Sequence, residues 1–351
     1  MKAKRIAALV LAGVLCASAL TGCGIDKDAA IATMKGKEVT MGIANFYCRY
    51  QQSCVEDYYK SMMGSSGDIW EQDVYGNGTT LEDSMKESVM EMLHEMYTLE
   101  AHMGDYNISL TDSEKSAITE AAKKFMDGNA SDTLKEMGAS QELVEEYLTL
   151  MTVRTKMVAA IEAEADTNVS DEEANKRGYS MVKIETTGTT DESGSQVEYT
   201  EEEKAELTEK ADAMEEKLQT EDTKLEDVAK EYGYEVTTGS YASDDSALDE
   251  AVKKALDGLK EGETSGKVET EDAIYFLRLD AETDKEATEQ NREAIINQRK
   301  SDLYQETLEG WQKDDNWKVD EDMLEKIQFK NSFTQQDPNA STQTEGAEST
   351  Q

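Results

Sequence analysis

The chain has 351 residues, room for two or three domains, and sets 36 Lys and Arg against 76 Asp and Glu for a formal net charge of −40. A field of that sign repels nucleic-acid phosphates and anionic headgroups, so nucleic acid is excluded as a partner. Four cysteines, two of them within the first 23 residues, do not make a disulfide scaffold.

Lys2, Lys4 and Arg5 give a positive start, and Ile6 to Leu20 is an apolar run broken only by small residues. That run is shorter than the roughly 20 residues a bilayer crossing needs. It fits a signal-peptide core followed by a small-residue cleavage site. Leu20-Thr21-Gly22-Cys23 resembles the bacterial lipobox, in which the cysteine is acylated and becomes the new N-terminus. Residues 1–22 are therefore expected to be a lipoprotein signal peptide and Cys23 the lipidation site. Two or more acyl chains on one residue make a stable anchor where a single chain does not. No later stretch is apolar enough to span a membrane. The remaining pair, Cys48 and Cys54, is six residues apart, on different faces of a shared helix and too distant for a disulfide.

Ala30 to Met34 reads as a strand, Lys35-Gly36-Lys37 as a turn, and helical periodicity runs from near Thr40 to Met63. Gly64 to Thr79 is a Gly/Ser-rich break in which Trp70 and Tyr75 are expected to pin the chain to the core. A second helix spans Leu81 to Met103, with Met85, Val89, Met92, Leu93 and Met96 at helical spacing. Thr111 and Glu114 form a capping-box signature for a helix towards Met126. Another helix fits Gln141 to Ala165. Tyr179 to Ile184 then reads as a strand and Thr186 to Glu198 as a polar loop. A second capping box, Thr200 and Glu203, opens a helix to Leu218. A shorter helix carries Leu225, Val228, Ala229 and Tyr232 on one face. Tyr234 to Thr238 reads as a strand, Ala247 to Leu259 as a helix, and Ser265 to Glu269 and Ile274 to Leu279 as strands. Lys285 to Lys313 is a long polar helix, and Trp311, Trp317, Val319, Leu324 and Ile327 suggest a docked end. Residues 331–351, which include the sole proline Pro338, are expected to be disordered.

This order resembles the extracytoplasmic foldases of the PrsA and SurA type. Ala32-Thr-Met-Lys-Gly-Lys-Glu-Val-Thr40 is similar to the opening hairpin of that family, and Phe46-Tyr-Cys-Arg49 falls where a family helix begins. Leu225-Glu-Asp-Val-Ala-Lys-Glu-Tyr232 resembles the parvulin helix, with Gly239 at the place of a family glycine turn. Leu259-Lys-Glu-Gly-Glu-Thr-Ser265 resembles the "L-x-x-G-E-x-S" run, and Ala273-Ile-Tyr-Phe-Leu-Arg-Leu279 the final strand. The resemblance implies an α+β chain. A helical chaperone-like module, residues 23–175 completed by a C-terminal helix at 283–330, would hold an inserted parvulin-like β-α-α-β-α-β-β domain at 176–282.

The resemblance also implies a pair of histidines on the central strands, a nearby Cys or Asp, and an apolar proline pocket. The two histidines of this chain, His94 and His102, both precede that domain. The first-strand position falls near Ser180 or Met181, the last-strand position at Tyr275, and the pocket aromatic at Asp257 beside Leu256. The domain therefore reads as a degenerate peptidyl-prolyl isomerase whose catalytic residues are unassigned. Met181, Tyr241, Leu256, Leu259, Tyr275 and Leu277 are the candidate peptide and proline groove.

His94 and His102, eight apart, lack the spacing and further ligands of a metal pair and read as helix-packing residues. Asp127, Asn129, Ser131 and Asp132 lack the glycine and final glutamate of a calcium loop. Gly76-Asn77-Gly78 is a turn. The helical methionines read as core, or as an adaptable cradle for apolar segments. No cofactor and no metal are expected. The expected partners are unfolded secreted polypeptides and, through the lipid, the outer face of the membrane; oligomeric state is open, a homodimer included. A solute-binding lipoprotein and a non-catalytic surface scaffold are the alternatives.

Overall fold

A computed structural model describes residues 25–64, 69–73, 76, 78–190, 194–220, 223–331 and 333. Residues 1–22, Cys23, Tyr75, Asn77 and the tail beyond Phe333 lie outside that set. The chain is α+β and divides into two compact units: residues up to Ala160 together with those from Thr307, and Ile161–Glu306.

The first unit opens on an antiparallel hairpin of β1 (Ala30–Met34) and β2 (Lys37–Thr40), turned through Lys35 (φ 49°) and Gly36 (φ 85°). Thr40 caps α1 (Met41–Met63), its side chain accepting from the Ile43 N–H, and Gly64 ends it in the left-handed region at φ 74°. The first turns of α1 are buried on every side, the polar Asn45 and Arg49 included. Cys48 lies there as a buried free thiol whose pKa is pushed up to about 12 by desolvation, while Cys54 is half-buried. Next come α2 (Leu81–Ala101), α3 (Asp112–Gly128), α4 (Ser131–Met137) and α5 (Gln141–Glu162). Both halves of the Thr111–Glu114 capping box form. Trp70 is buried at 6% exposure, as its residue type suggests. The short α4 ends on Gly138 at φ 66°, with Met137 fully buried.

The second unit begins with α6 (Asp171–Ala174) and β3 (Arg177–Glu185). Thr186 to Glu198 is not a plain loop, because β4 (Gly188–Thr190) and β5 (Gln196–Glu198) pair as an antiparallel hairpin. Its residues are largely exposed, so no apolar alternation marks it in the sequence. Helices α7 (Glu201–Leu218), with its complete Thr200–Glu203 capping box, and α8 (Leu225–Tyr232) follow. Strand β6 is Thr237–Tyr241, three residues later than its expected position. Tyr234 instead follows the left-handed Gly233 cap of α8 and packs with α7 and α8. Helix α9 (Glu250–Asp257) starts at the Asp249 cap. Strands β7 (Val268–Glu269) and β8 (Ala273–Ala281) complete a four-stranded antiparallel sheet in the order β6-β3-β8-β7. With the β4–β5 hairpin set aside, the order from β3 is the expected β-α-α-β-α-β-β.

Helix α10 (Lys285–Gln312) leads back to the first unit, where β9 (Lys318–Val319) pairs antiparallel with β1 and α11 (Glu321–Leu324) follows. His94 stacks on Trp317 with ring centroids 4.5 Å apart and its Nε2 lies 2.7 Å from the Asp315 carboxylate. His102 stacks on Trp311 at 4.1 Å. His94 therefore packs α2 on the segment leading into β9, and His102 packs the end of α2 on α10.

Candidate peptide-binding face

Strand alternation sorts the second unit's side chains into two layers. In the β3–β8 register Met181 faces Leu277 and Val182 faces Phe276. Even-numbered Val182, Ile184, Ile274 and Phe276 pack on α7 and α8. Odd-numbered Tyr179, Met181, Tyr275, Leu277 and Leu279 share the other side with Tyr241 and the α9 residues Val252 and Leu256. All six candidate groove residues fall in this second cluster. Burial divides them. Tyr241, Leu256 and Leu277 are 0% exposed and hold sheet and helix together. Met181, Leu259 and Tyr275 are half-buried, as is Val268 directly opposite Tyr275 on β7, and these form the accessible part of the face.

Of the two expected first-strand positions, Met181 lies on the α9 side of the sheet and Ser180 on the other. Ser180 is on the α7–α8 side, its hydroxyl 2.5 Å from the Asp280 carboxylate, and does not reach the face. Tyr179, not singled out in the sequence, does: its ring meets Tyr241 edge-on at 5.9 Å, and burial raises its phenol pKa. Gly239 serves this packing rather than a turn. A Cβ there would lie 2.7 Å from the Tyr179 hydroxyl and 2.8 Å from the ring.

Asp257, where the resemblance implies an aromatic, sits at the end of α9 in a polar clamp. Arg177 Nη1 donates to the Tyr241 hydroxyl (2.9 Å), the Leu256 carbonyl (3.3 Å) and Asp257 Oδ1 (3.2 Å). Its Nη2 reaches the Leu259 carbonyl at 3.0 Å and Glu282 at 2.9 Å. The Tyr241 hydroxyl donates to Asp257 at 2.9 Å. Burial, then the Asp257 bond, raises the Tyr241 pKa above the usual phenol range, so it stays a donor. A cation on the last carbonyls of a helix satisfies orphan acceptors and complements the dipole. Sequence reading passed over Arg177, although it stands directly opposite Tyr241 in the β3–β6 register and two residues before Tyr179. Among the described residues, no three or more His, Cys, Asp or Glu side chains are placed to hold a metal ion. None of the described helices is long and apolar enough to cross a membrane.

An antiparallel sheet with two helices on one face and one on the other agrees with the class the sequence indicates: residues 169–293 match the family model described as a PPIC-type PPIASE domain, about a third of the chain. Among solved structures, the chain is similar to the foldase protein PrsA from Lactococcus lactis, at 14% identity over 85% of this chain and 97% of that one, TM-score 0.35. It is similar to foldase protein PrsA from Streptococcus pneumoniae at 17% identity, over 69% of this chain and 88% of that one, TM-score 0.28. One of the SurA-like chaperones described from Campylobacter jejuni (PEB4 and Cj1289) matches at 11% identity over 83% and 99%, TM-score 0.28. No curated protein matches the chain.

Arg177→Gln removes the donors to the Leu256 and Leu259 carbonyls and leaves Tyr241 its Asp257 bond alone. It is expected to lower the stability of the second unit by about 1–3 kcal/mol, a range that discounts the half-exposed Asp257 and Glu282. All three tryptophans lie outside 161–306, whereas Met181 and Met214 lie inside it, so urea unfolding followed by tryptophan fluorescence reports the first unit and by the Met181 and Met214 methyl resonances the second. A lowered midpoint in the two methionine signals alone is expected; an unchanged one would remove the clamp from the account.

Proposed function

We propose that the chain is a foldase held at the outer face of a bacterial membrane by a lipid on Cys23. It catches unfolded exported polypeptides with its helical module (23–175 with 283–330). It binds X-Pro segments on the Met181–Leu259–Tyr275 part of the sheet face, with weak isomerase activity or none. The observation that carries this reading is the PPIC-type match over 169–293 in a stretch without a histidine. Prolyl isomerisation breaks no covalent bond; it lowers a rotation barrier of about 18–20 kcal/mol. That requires a pocket for the ring and a site that favours the twisted amide over the planar one. Tyr275 and Met181 offer apolar surface for a ring. The Arg177 clamp occupies Asp257, where the resemblance implies the pocket aromatic, and this supports binding more than turnover. Repeated parallel strand–helix units, the mark of a solute-binding lipoprotein, are not what the antiparallel sheets resemble.

The test is an NMR exchange or protease-coupled assay of the chain lacking residues 1–23 on X-Pro peptides, alongside suppression of aggregation of an unfolded client. Suppression with little or no acceleration is expected. Fast isomerisation abolished by Tyr275→Ala would contradict the degeneracy, and no effect in either assay would move the protein to the scaffold alternative. Separately, mass spectrometry of the chain from the membrane fraction is expected to show acyl chains on an N-terminal Cys23; an N-terminus without them would rule the lipid anchor out.

A further inference from the structure

Past α11 the chain runs without helix or strand from Ile327 to Asn331, and side chains of α1 and α2 grip its backbone. Lys86 Nζ donates to the Ile327 carbonyl at 3.4 Å. Arg49 donates to the carbonyls of Gln328 (2.9 Å) and Asn331 (3.0 Å), and Gln52 adds a longer bond to Asn331 at 3.4 Å. Glu82 accepts the Phe329 N–H at 3.2 Å. The Phe329 ring is buried edge-on against Trp70 at 4.8 Å. Every residue offers the same carbonyl and nearly every one the same N–H, so such a grip reads an extended segment with little regard to sequence.

Closing a core does not call for this chemistry. Arg49, Lys86 and Glu56 are 3%, 5% and 0% exposed. Burying ions costs several kcal/mol each before pairing, and apolar side chains would fill the same space without it. Glu56 Oε1 accepts from Trp70 Nε1 (2.9 Å) and Gln52 Nε2 (2.7 Å), fixing the indole. Yet Glu56 Oε2 and Gln52 Oε1 are buried with no hydrogen-bond partner. An unmet buried acceptor costs about 1–3 kcal/mol. The chain's own segment therefore leaves unused two acceptors that the N–H groups of another extended segment could satisfy.

We infer that the slot between α1, α2 and Trp70 is a binding site for an extended apolar polypeptide, occupied in cis by Gln328–Asn331 as a built-in competitor. This rests on the foldase reading and deepens it. A client places a bulky apolar side chain against Trp70 in place of Phe329, gives its carbonyls to Arg49 and Lys86, and offers N–H groups to Gln52 and Glu56. The resident segment lowers apparent client affinity by the fraction of time the slot is closed.

The experiment compares the chain ending at Ile327 with the chain continuing to Gln351, both lacking residues 1–23. The probes are a fluorescent peptide of residues Gln328–Gln335 and a reduced, carboxymethylated unfolded protein. By anisotropy, the shortened chain is expected to bind both at least tenfold tighter, with peptide binding lost in Trp70→Ala. If shortening prevents folding, Phe329→Ser in the longer chain gives the same reading, with raised affinity for the unfolded protein expected. Equal binding by two folded chains, or by Phe329→Ser and its parent, would overturn the slot. Should both chains still suppress aggregation, the foldase reading survives that loss; should neither do so, both readings fall.

Discussion

The antiparallel pairing of β3 with β8 sets Met181 opposite Leu277 and Val182 opposite Phe276, and the second unit's two layers follow from that register. Side chains alternate along a strand, so a slip of one residue would turn Leu277 and Leu279 towards α7 and α8 and bring Phe276 and the charged Arg278 under α9. With the register fixed, Arg177 and Tyr241 stand opposite each other across β3 and β6, and α9 is tied to the sheet through its terminal carbonyls. The face is thus closed at the Arg177 end and open around Met181 and Tyr275. That open end presents the half-buried Met181, Leu259 and Tyr275, and both histidines of the chain lie in the first unit.

The first unit depends on a different kind of constraint. Arg49, Gln52 and Glu56 lie on one side of α1 at helical spacing and are all buried. Polar groups in that position need partners, and most of theirs are backbone carbonyls or the Trp70 indole. The result is a helical unit whose core contains a hydrogen-bonding slot. Such a slot suits clients that share a backbone and little else.

Much of this was legible in the sequence, because its signals are local. Both Thr–Glu capping boxes form, α1 ends where Gly64 permits, and the β-α-α-β-α-β-β order holds. What was not legible depends on partners distant in the chain or on very short elements. The exposed β4–β5 hairpin and two-residue β9 carry no periodicity, and β6 was displaced because Tyr234 reads as a strand residue but packs with helices. The six groove candidates do gather on one face, yet spacing could not tell that Tyr241, Leu256 and Leu277 lie beneath it and Met181, Leu259 and Tyr275 at its surface. Arg177 escaped notice because its partners are 64 to 105 residues away, at Tyr241, Asp257 and Glu282.

The central claim is that X-Pro segments bind the α9 side of the sheet at its open end. Methionine methyl NMR tests it directly, because Met181 is half-buried on that side and Met214 is fully buried on the other. Titration of the chain lacking residues 1–23 with an X-Pro peptide is expected to shift and broaden the Met181 methyl and leave Met214 in place. A peptide that binds while Met181 stays unmoved, or that shifts Met214 instead, would contradict the account.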